Sequence, residues 1–136
     1  MGTVYATITI KNQFDIRDAL NGYIKENEIR QTTVEAVVDT GAISLFITEE
    51  LRRQLGLEVV GEWPVTVANG ATEMAKRTEG VEVCWEDRSM VCRPYVLPSS
   101  NEIILGVIPM EDMDLIVDPA REELLGAHGD EILIRL

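Results

Sequence analysis

The sequence contains few basic residues, no long apolar run, two cysteines and one histidine. Twelve Lys and Arg against 24 Asp and Glu give a formal charge of −12, which argues against nucleic-acid binding because phosphates require clustered cations. No segment approaches the roughly 20 apolar residues of a membrane span. The N-terminus has no basic region followed by an apolar run, so we expect no secretory signal, no membrane contact and a cytoplasmic location.

The scarcity of cysteine and histidine leaves little material for thiol or imidazole chemistry. Cys84 and Cys92 flank a predicted turn at residues 86–89 and could face each other across a hairpin. In a reducing compartment we expect free thiols. His128 lies in a turn-like segment, and we expect a solvated loop residue. The acidic cluster of Glu111, Asp112 and Asp114 lacks a calcium-loop spacing and is interpreted as a solvated face.

What the sequence does contain is enough apolar material for one compact domain: 46% of its 136 residues are hydrophobic. Residues 3–10 alternate apolar residues with Thr, as a strand with one buried face does. Residues 15–28 fit a short helix and an ordered loop equally well. Thr48 can cap a helix over residues 49–55 that ends at Gly56.

From residue 57 onward the pattern is of short, β-rich segments separated by turn residues, and the chain closes with predicted strands at 115–119 and 131–136. Residues 109–113 predict a short helix with Pro109 in its first turn. Asn69-Gly70 predicts a two-residue hairpin with both residues at positive φ. Such a hairpin, with few large apolar groups near its tip, suits either a mobile lid or an ordinary surface turn. The layout is all-β with one or two short helices.

Asp39 is the leading candidate for chemistry. It follows the apolar pair Val37-Val38 and precedes Thr40, Gly41 and Ala42. A strand that ends in this way carries a carboxylate out of the core, and glycine permits the sharp turn that follows. A second apolar run, Ile103 to Leu105, also ends in glycine, at Gly106. Asp118 precedes proline, so the chain contains a single copy of the acidic turn motif.

With these motifs, the chain resembles the retropepsin-like (retroviral-type) aspartic proteases, and most closely their small single-domain prokaryotic members. The resemblance runs from about residue 34 to residue 119. It implies a single closed β-barrel domain, with an N-terminal strand and an unassigned helix or loop in residues 1–33, a motif-bearing core in 34–119 and a C-terminal strand in 120–136.

The resemblance also implies the roles of individual residues. Asp39 matches the catalytic aspartate, Thr40 the hydroxyl that hydrogen-bonds across a twofold axis, and Gly41 the backbone beside the substrate, with Ala42 completing the loop. The tip of the flap that covers the substrate is matched by Ala68, Asn69 and Gly70. The apolar-Gly segment packed behind the catalytic loop is matched by Ile104, Leu105 and Gly106.

The implied reaction needs two carboxylates sharing one proton, one to activate water and one to protonate the scissile carbonyl oxygen. A chain with one such aspartate must therefore pair with a second copy. This predicts a homodimeric endopeptidase acting on peptides or proteins, without a metal or other cofactor. The alternative is a catalytically silent dimerisation or peptide-binding module of the same fold. A third interpretation, an unrelated β-rich protein with an accidental motif, predicts no obligate dimer.

Overall fold

The structure is a computed structural model, which describes residues 2–134. Its elements follow in chain order, with a 3₁₀ turn at Glu26–Glu28: β1 Val4–Asn12, α1 Gln13–Leu20, β2 Gln31–Val38, β3 Leu45–Ile47, α2 Glu49–Gln54, β4 Val59–Thr66, β5 Thr72–Thr78, β6 Val81–Trp85, β7 Arg88–Cys92, β8 Tyr95–Val96, β9 Ile104–Leu105, α3 Val107–Asp112, β10 Leu115–Asp118 and β11 Glu123–Gly126.

Most of the strands form one nine-stranded sheet in the order β4-β5-β8-β3-β9-β2-β1-β6-β7, and β10 pairs with β11 in a second, two-stranded sheet. The predicted all-β class is confirmed. The predicted closed barrel is corrected, because no pairing within residues 2–134 joins edge strands β4 and β7. The structure also has three α-helices where one or two were expected. No helix within the described range has the length and apolarity needed to cross a bilayer.

The main core lies on the buried face of β1, β2 and β6. Along β1, the inward positions Val4, Ala6, Ile8 and Ile10 are buried while Tyr5 and Thr7 are exposed, which is the alternation that the sequence predicts. A smaller cluster of Phe46, Ala75 and Leu97 lies beside it. The small cluster is the one that underlies the candidate site.

Helix α1 resolves the open question about residues 15–28. Asn12 caps the helix by accepting from the amide of Asp15, and it donates to the carbonyl oxygen of Leu55. Asp15 is buried, and its carboxylate accepts hydrogen bonds from the guanidinium and from the backbone amide of Arg30. β1 and β2 are antiparallel with Val4 opposite Val38, so α1 lies at the end of the sheet away from Asp39, about 24 Å along the strands. Helix α1 therefore does not cover the site.

Helix α2 follows the sequence closely. The hydroxyl of Thr48 accepts the amide of Leu51 at 3.1 Å, and Gly56 beyond the helix has φ +66°. Helix α3 begins at Val107, two residues before the predicted start, and Pro109 as its third residue lies in the first turn as predicted.

The cysteine prediction is partly confirmed. Both thiols are free, but Cys84 pairs with Ser89 and Cys92 with Val81, so they do not face each other. Burial is the main cause that raises the pKa of Cys84 to about 11 and that of Cys92 to about 12. Neither Cys84 nor Cys92 therefore has the lowered pKa that a thiolate nucleophile requires.

The C-terminal region differs from the prediction. The closing strand is β11, and residues 131–134 contain only an isolated bridge from Glu131 to His128. The remainder of the predicted strand, residues 135–136, lies outside the described residues. Buried Arg88 holds this region by donating to the carbonyl oxygens of four residues that the chain brings around it: Met113, Asp114, Gly129 and Glu131.

Asp114 departs from the expected solvated position, whereas Glu111, Asp112 and His128 are exposed as expected. Asp114 is buried, and one of its oxygens accepts the amide of Leu133 at 2.9 Å and lies 2.7 Å from Nδ1 of His128. The hydrogen bond from Leu133 is the largest cause that lowers the pKa of Asp114, followed by that from His128. Both residues therefore fasten the C-terminal segment.

Candidate active site

Asp39 lies immediately beyond β2, where the strand leaves the core. Its amide donates to the carbonyl oxygen of Leu105 at 3.0 Å, and its carbonyl oxygen accepts the amide of Ala42 at 3.1 Å. One carboxylate oxygen accepts the amide of Gly41 at 2.8 Å. Asp39, Thr40 and Gly41 are all exposed. The loop thus presents an oriented carboxylate at the surface.

The segment predicted to support this loop does lie behind it. β9 is hydrogen-bonded between β2 and β3, with Val38 opposite Leu105 on one side and Leu45 opposite Leu105 on the other. The next amide, that of Val107, donates to the carbonyl oxygen of Ala42 at 2.8 Å, and that of Ile108 to Ile43 at 3.1 Å. One segment that is distant in sequence, residues 104–108, therefore fixes the loop.

Gly106 allows this close approach. A Cβ at this position would lie 2.4 Å from the carbonyl oxygen of Ser44 and 2.5 Å from that of Ala42. Both contacts are with backbone atoms, which cannot rotate away as a side chain can. The glycine at the end of the second apolar run is therefore required for contact with the catalytic loop.

Asp39 forms part of the floor of a groove of about 890 Å³. The hairpin of β4 and β5, which we call the flap hairpin, supplies one wall, and the loop at residues 97–103 supplies the other. The lining is mainly apolar, and its side chains come from the catalytic loop, the flap hairpin and strands β3, β8 and β9: Ile43, Phe46, Trp63, Val65, Val67, Tyr95, Leu97 and Ile104. The groove therefore offers a mainly apolar surface beside the carboxylate of Asp39.

The tip of the flap hairpin differs from the expected two-residue turn. The carbonyl oxygen of Val67 accepts a hydrogen bond from the amide of Gly70 at 2.9 Å, and the amide of Val67 donates to the carbonyl oxygen of Ala71. The loop between Val67 and Ala71 therefore has three residues. Gly70 has φ +86°, whereas Asn69 is not at positive φ; its side chain instead accepts the amide of Ala71 at 2.9 Å. Of the three predicted tip residues, Ala68 lines the groove and Asn69 and Gly70 do not.

The two walls of the groove are connected by one hydrogen bond between side chains. The hydroxyl of Ser99 donates to the carboxylate of Glu73 at 2.5 Å. Glu73 lies on β5 near the flap tip, and Ser99 lies in the loop at residues 97–103. This contact ties the flap hairpin to the opposite wall.

The aromatic wall is a feature that the sequence analysis missed. Trp63 is 43% exposed and lines the groove. Tyr95 also lines the groove and stacks on Phe46, with ring centroids 5.5 Å apart. The available signal was the period-two spacing of Trp63, Val65 and Val67, which places all three on one face of the hairpin.

Thr40 lies on the other side of the catalytic loop. It borders a second cavity of about 450 Å³, together with Asp39, Val38 and residues of the chain ends of β1 and β10. Asp39 therefore stands between two depressions, the groove and this second cavity. Within residues 2–134, no three His, Cys, Asp or Glu side chains are grouped so that they could hold a metal ion.

Comparisons with known proteins agree with this geometry. Residues 26–112, more than half of the chain, match the family described as "gag-polyprotein putative aspartyl protease". The retroviral protease-like domain of Ddi1 from Leishmania major is similar in structure, with a TM-score of 0.58 and 17% sequence identity, and the match covers 97% of this chain and 91% of that chain.

A retropepsin-like aspartic protease from Rickettsia conorii is also matched, with a TM-score of 0.46 and 15% identity over 87% of this chain and 89% of that chain. A comparison with curated protein sequences gives no match. At 17% identity the likeness to the Leishmania domain establishes the fold alone. The sequence match over residues 26–112, joined to that fold, shows that the chain belongs to the retropepsin-like aspartic protease family.

Proposed function

We propose that this protein is an aspartic endopeptidase in which Asp39 of one subunit and Asp39 of a second copy form the catalytic pair. The observation that carries the proposal is the exposed, oriented carboxylate of Asp39 on the floor of a mainly apolar groove of about 890 Å³ between the flap hairpin and the loop at residues 97–103. The flap hairpin over the groove supports the same interpretation, because it would exclude water from a bound peptide.

A single Asp39 supplies only half of the required chemistry. The ionised carboxylate takes a proton from water as it attacks the scissile carbonyl, while the protonated one donates to the carbonyl oxygen. Two carboxylates a few ångströms apart share one proton because both cannot ionise together, as in the aspartic-protease pair that serves as the standard example of coupled titration. A twofold axis beside the loop would place one Asp39 against the other.

The exposure of Thr40 supports such an axis. Its side chain faces solvent at the border of the second cavity, on the opposite side of the loop from the groove. In a dimer, this hydroxyl would donate to the partner loop and hold the two carboxylates at a fixed separation. Peptides or proteins would be the substrates, and the mechanism requires no cofactor.

A second candidate is a peptide-binding or dimerisation module without activity. It is favoured by the tip of the flap hairpin, where Asn69 and Gly70 do not reach the groove. This module would bind peptides equally well with or without the carboxylate of Asp39. An experiment that changes only this carboxylate therefore separates the two candidates.

The test compares wild type with Asp39→Asn on an unbiased peptide library from acidic to neutral pH, with mass spectrometry of the products. Asp87→Asn is the control, because Asp87 is an exposed carboxylate in the β6–β7 turn. We expect wild type and Asp87→Asn to cleave the same peptides and Asp39→Asn to lose at least about a thousandfold in rate. Equal turnover by wild type and Asp39→Asn would contradict the proposal.

A further inference from the structure

Arg77 lies behind the aromatic wall of the groove. Its guanidinium carbon is 4.8 Å from the ring centroid of Tyr95 and 5.6 Å from that of Trp63. Both rings line the groove that contains Asp39. With Phe46 stacked on the far side of Tyr95, four planar groups follow one another along this wall.

The strand register explains why Arg77 is on this side of the sheet. Arg77 and Ala75 are two residues apart on β5, so their side chains share a face. Ala75 belongs to the small cluster beneath the groove, and it is the register partner of Trp63 on β4. Arg77 is the register partner of Tyr95 on β8. Arg77 therefore stands at the base of the flap hairpin, on the face that it shares with Ala75, and it adjoins two lining residues of the groove without being part of the lining itself.

The guanidinium lacks the carboxylate partners that Arg30, Arg52, Arg53 and Arg121 have. Its Nε is buried without a hydrogen-bond partner, and Arg77 takes part in none of the ion pairs within residues 2–134. By contrast, Arg30 and Arg52 each hold a carboxylate in a two-pronged contact. The chain has twice as many acidic residues as basic ones. An arginine that has no acidic partner and lies next to a groove is therefore available to bind an acidic group of a ligand.

We infer that Arg77 is a specificity residue that binds an acidic side chain of the peptide substrate. This inference rests on the proposed function, since it names the substrate class of the same groove. The rings of Trp63 and Tyr95 hold the guanidinium plane in place, which leaves its N–H groups to make a two-pronged contact with a carboxylate. The contact is stronger than one in open water because the wall partly desolvates the cation.

The experiment uses pairs of peptides that differ only in Glu or Gln at one position relative to the cleaved bond. Cleavage by wild type gives kcat/KM for each pair, and binding to Asp39→Asn, measured by fluorescence anisotropy, gives the same comparison without turnover. Arg77→Met removes the charge and keeps the stem that packs on the rings. Arg93→Met is the control for net charge, because Arg93 is exposed in the connection between β7 and β8.

At one position we expect wild type to prefer Glu over Gln by about tenfold, as a charged hydrogen-bonded pair provides. Arg77→Met should lose the preference, so that its kcat/KM values for the Glu and Gln peptides become equal, and Arg93→Met should keep it. Equal handling of Glu and Gln by wild type at every position would overturn the inference, as would a preference that survives in Arg77→Met. If Arg77→Met cleaved neither the Glu nor the Gln peptide, Arg77 would have a purely structural role and the inference would be wrong.

The two proposals fail in different ways. If wild type cleaves no peptide, the proposed activity fails, and the binding data for Asp39→Asn still decide whether Arg77 selects an acidic residue. If wild type cleaves peptides without a charge preference that depends on Arg77, the activity stands and the role of Arg77 is wrong.

Discussion

Gly106 determines how closely the support segment approaches the catalytic loop. The backbone atoms of Ala42 and Ser44 occupy the space where a side chain would begin. The amide of Val107 then reaches the carbonyl oxygen of Ala42. Any side chain at position 106 must move this backbone, and with it the loop that carries Asp39.

We therefore expect Gly106→Ala to lower the free energy of unfolding by about 3 kcal/mol, because a close-packed backbone contact is overfilled. Gly22→Ala is the control: Gly22 has φ +79° and nothing within 4 Å of an added Cβ, so only the strain of a left-handed residue is added, about 1 kcal/mol. Urea unfolding measures both variants. Equal losses would show that the contact behind the loop is not tight.

The sequence predicts the residues of the catalytic loop and its support because their signals are local. Asp39 follows a strand and precedes a glycine, and Gly106 ends an apolar run, so each is visible within a few positions. Arg77 and Trp63 were not found in this way, because their meeting depends on the pairing of β4 with β5 and of β5 with β8. Asn69-Gly70 predicts the hairpin of β4 and β5, but the pairing of β5 with β8 has no signature in either segment alone.

Among the elements, the flap hairpin shows what a turn motif leaves undetermined. Asn-Gly is compatible with a two-residue turn and with a three-residue loop, and the side chain of Asn69 stabilises the longer loop through its bond to the amide of Ala71. The alternation of Ile132 and Ile134 likewise indicated a strand at the end of the chain. The strand that pairs with β10 is β11, which lies earlier in the chain. The segment after β11 is held by hydrogen bonds from Arg88 to Glu131 and from Leu133 to Asp114.

Helix α2 carries a pH-dependent contribution to stability. Glu49 accepts two hydrogen bonds from Arg52, at 2.6 and 2.8 Å, and one from Arg53 at 3.0 Å. The bonds from Arg52 are the main cause that lowers the pKa of Glu49 from 4.5 to about 2. Because the folded-state pKa lies below the unfolded value, the contribution is complete above pH 4.5 and is lost as the pH falls toward about 2.

We expect Glu49→Gln to reduce the free energy of unfolding at neutral pH by about 0.5–1 kcal/mol, a small value because the pair is partly exposed. The difference from wild type should shrink as the pH falls below 4.5 and should vanish near 2. Urea unfolding at several pH values measures it. Glu50→Gln, at the neighbouring exposed position, should show no such trend. A difference that stays constant with pH would contradict the assignment.

At the scale of the whole molecule, the sheet leaves the catalytic loop uncovered on one side. β2, β9 and β3 bring Asp39 to the surface between the groove and the second cavity, and among the described residues that line these two depressions the only other carboxylate is Glu102, in the loop at residues 97–103. The fold class was predictable from the alternation of short strands. The strand order was not, because it depends on pairings such as β3 with β8 between distant segments.

The most direct test of the central claim, one carboxylate from each of two subunits, is the activity of mixtures of wild type and Asp39→Asn. Total protein is held constant above the dimer dissociation constant, the mixture is equilibrated so that subunits exchange, and the rate is measured as the wild-type fraction is varied. Random pairing predicts that activity follows the square of that fraction, so an equal mixture retains about one quarter of the wild-type rate. A linear dependence, with about half of the rate retained, would mean that each chain works alone and would contradict the account.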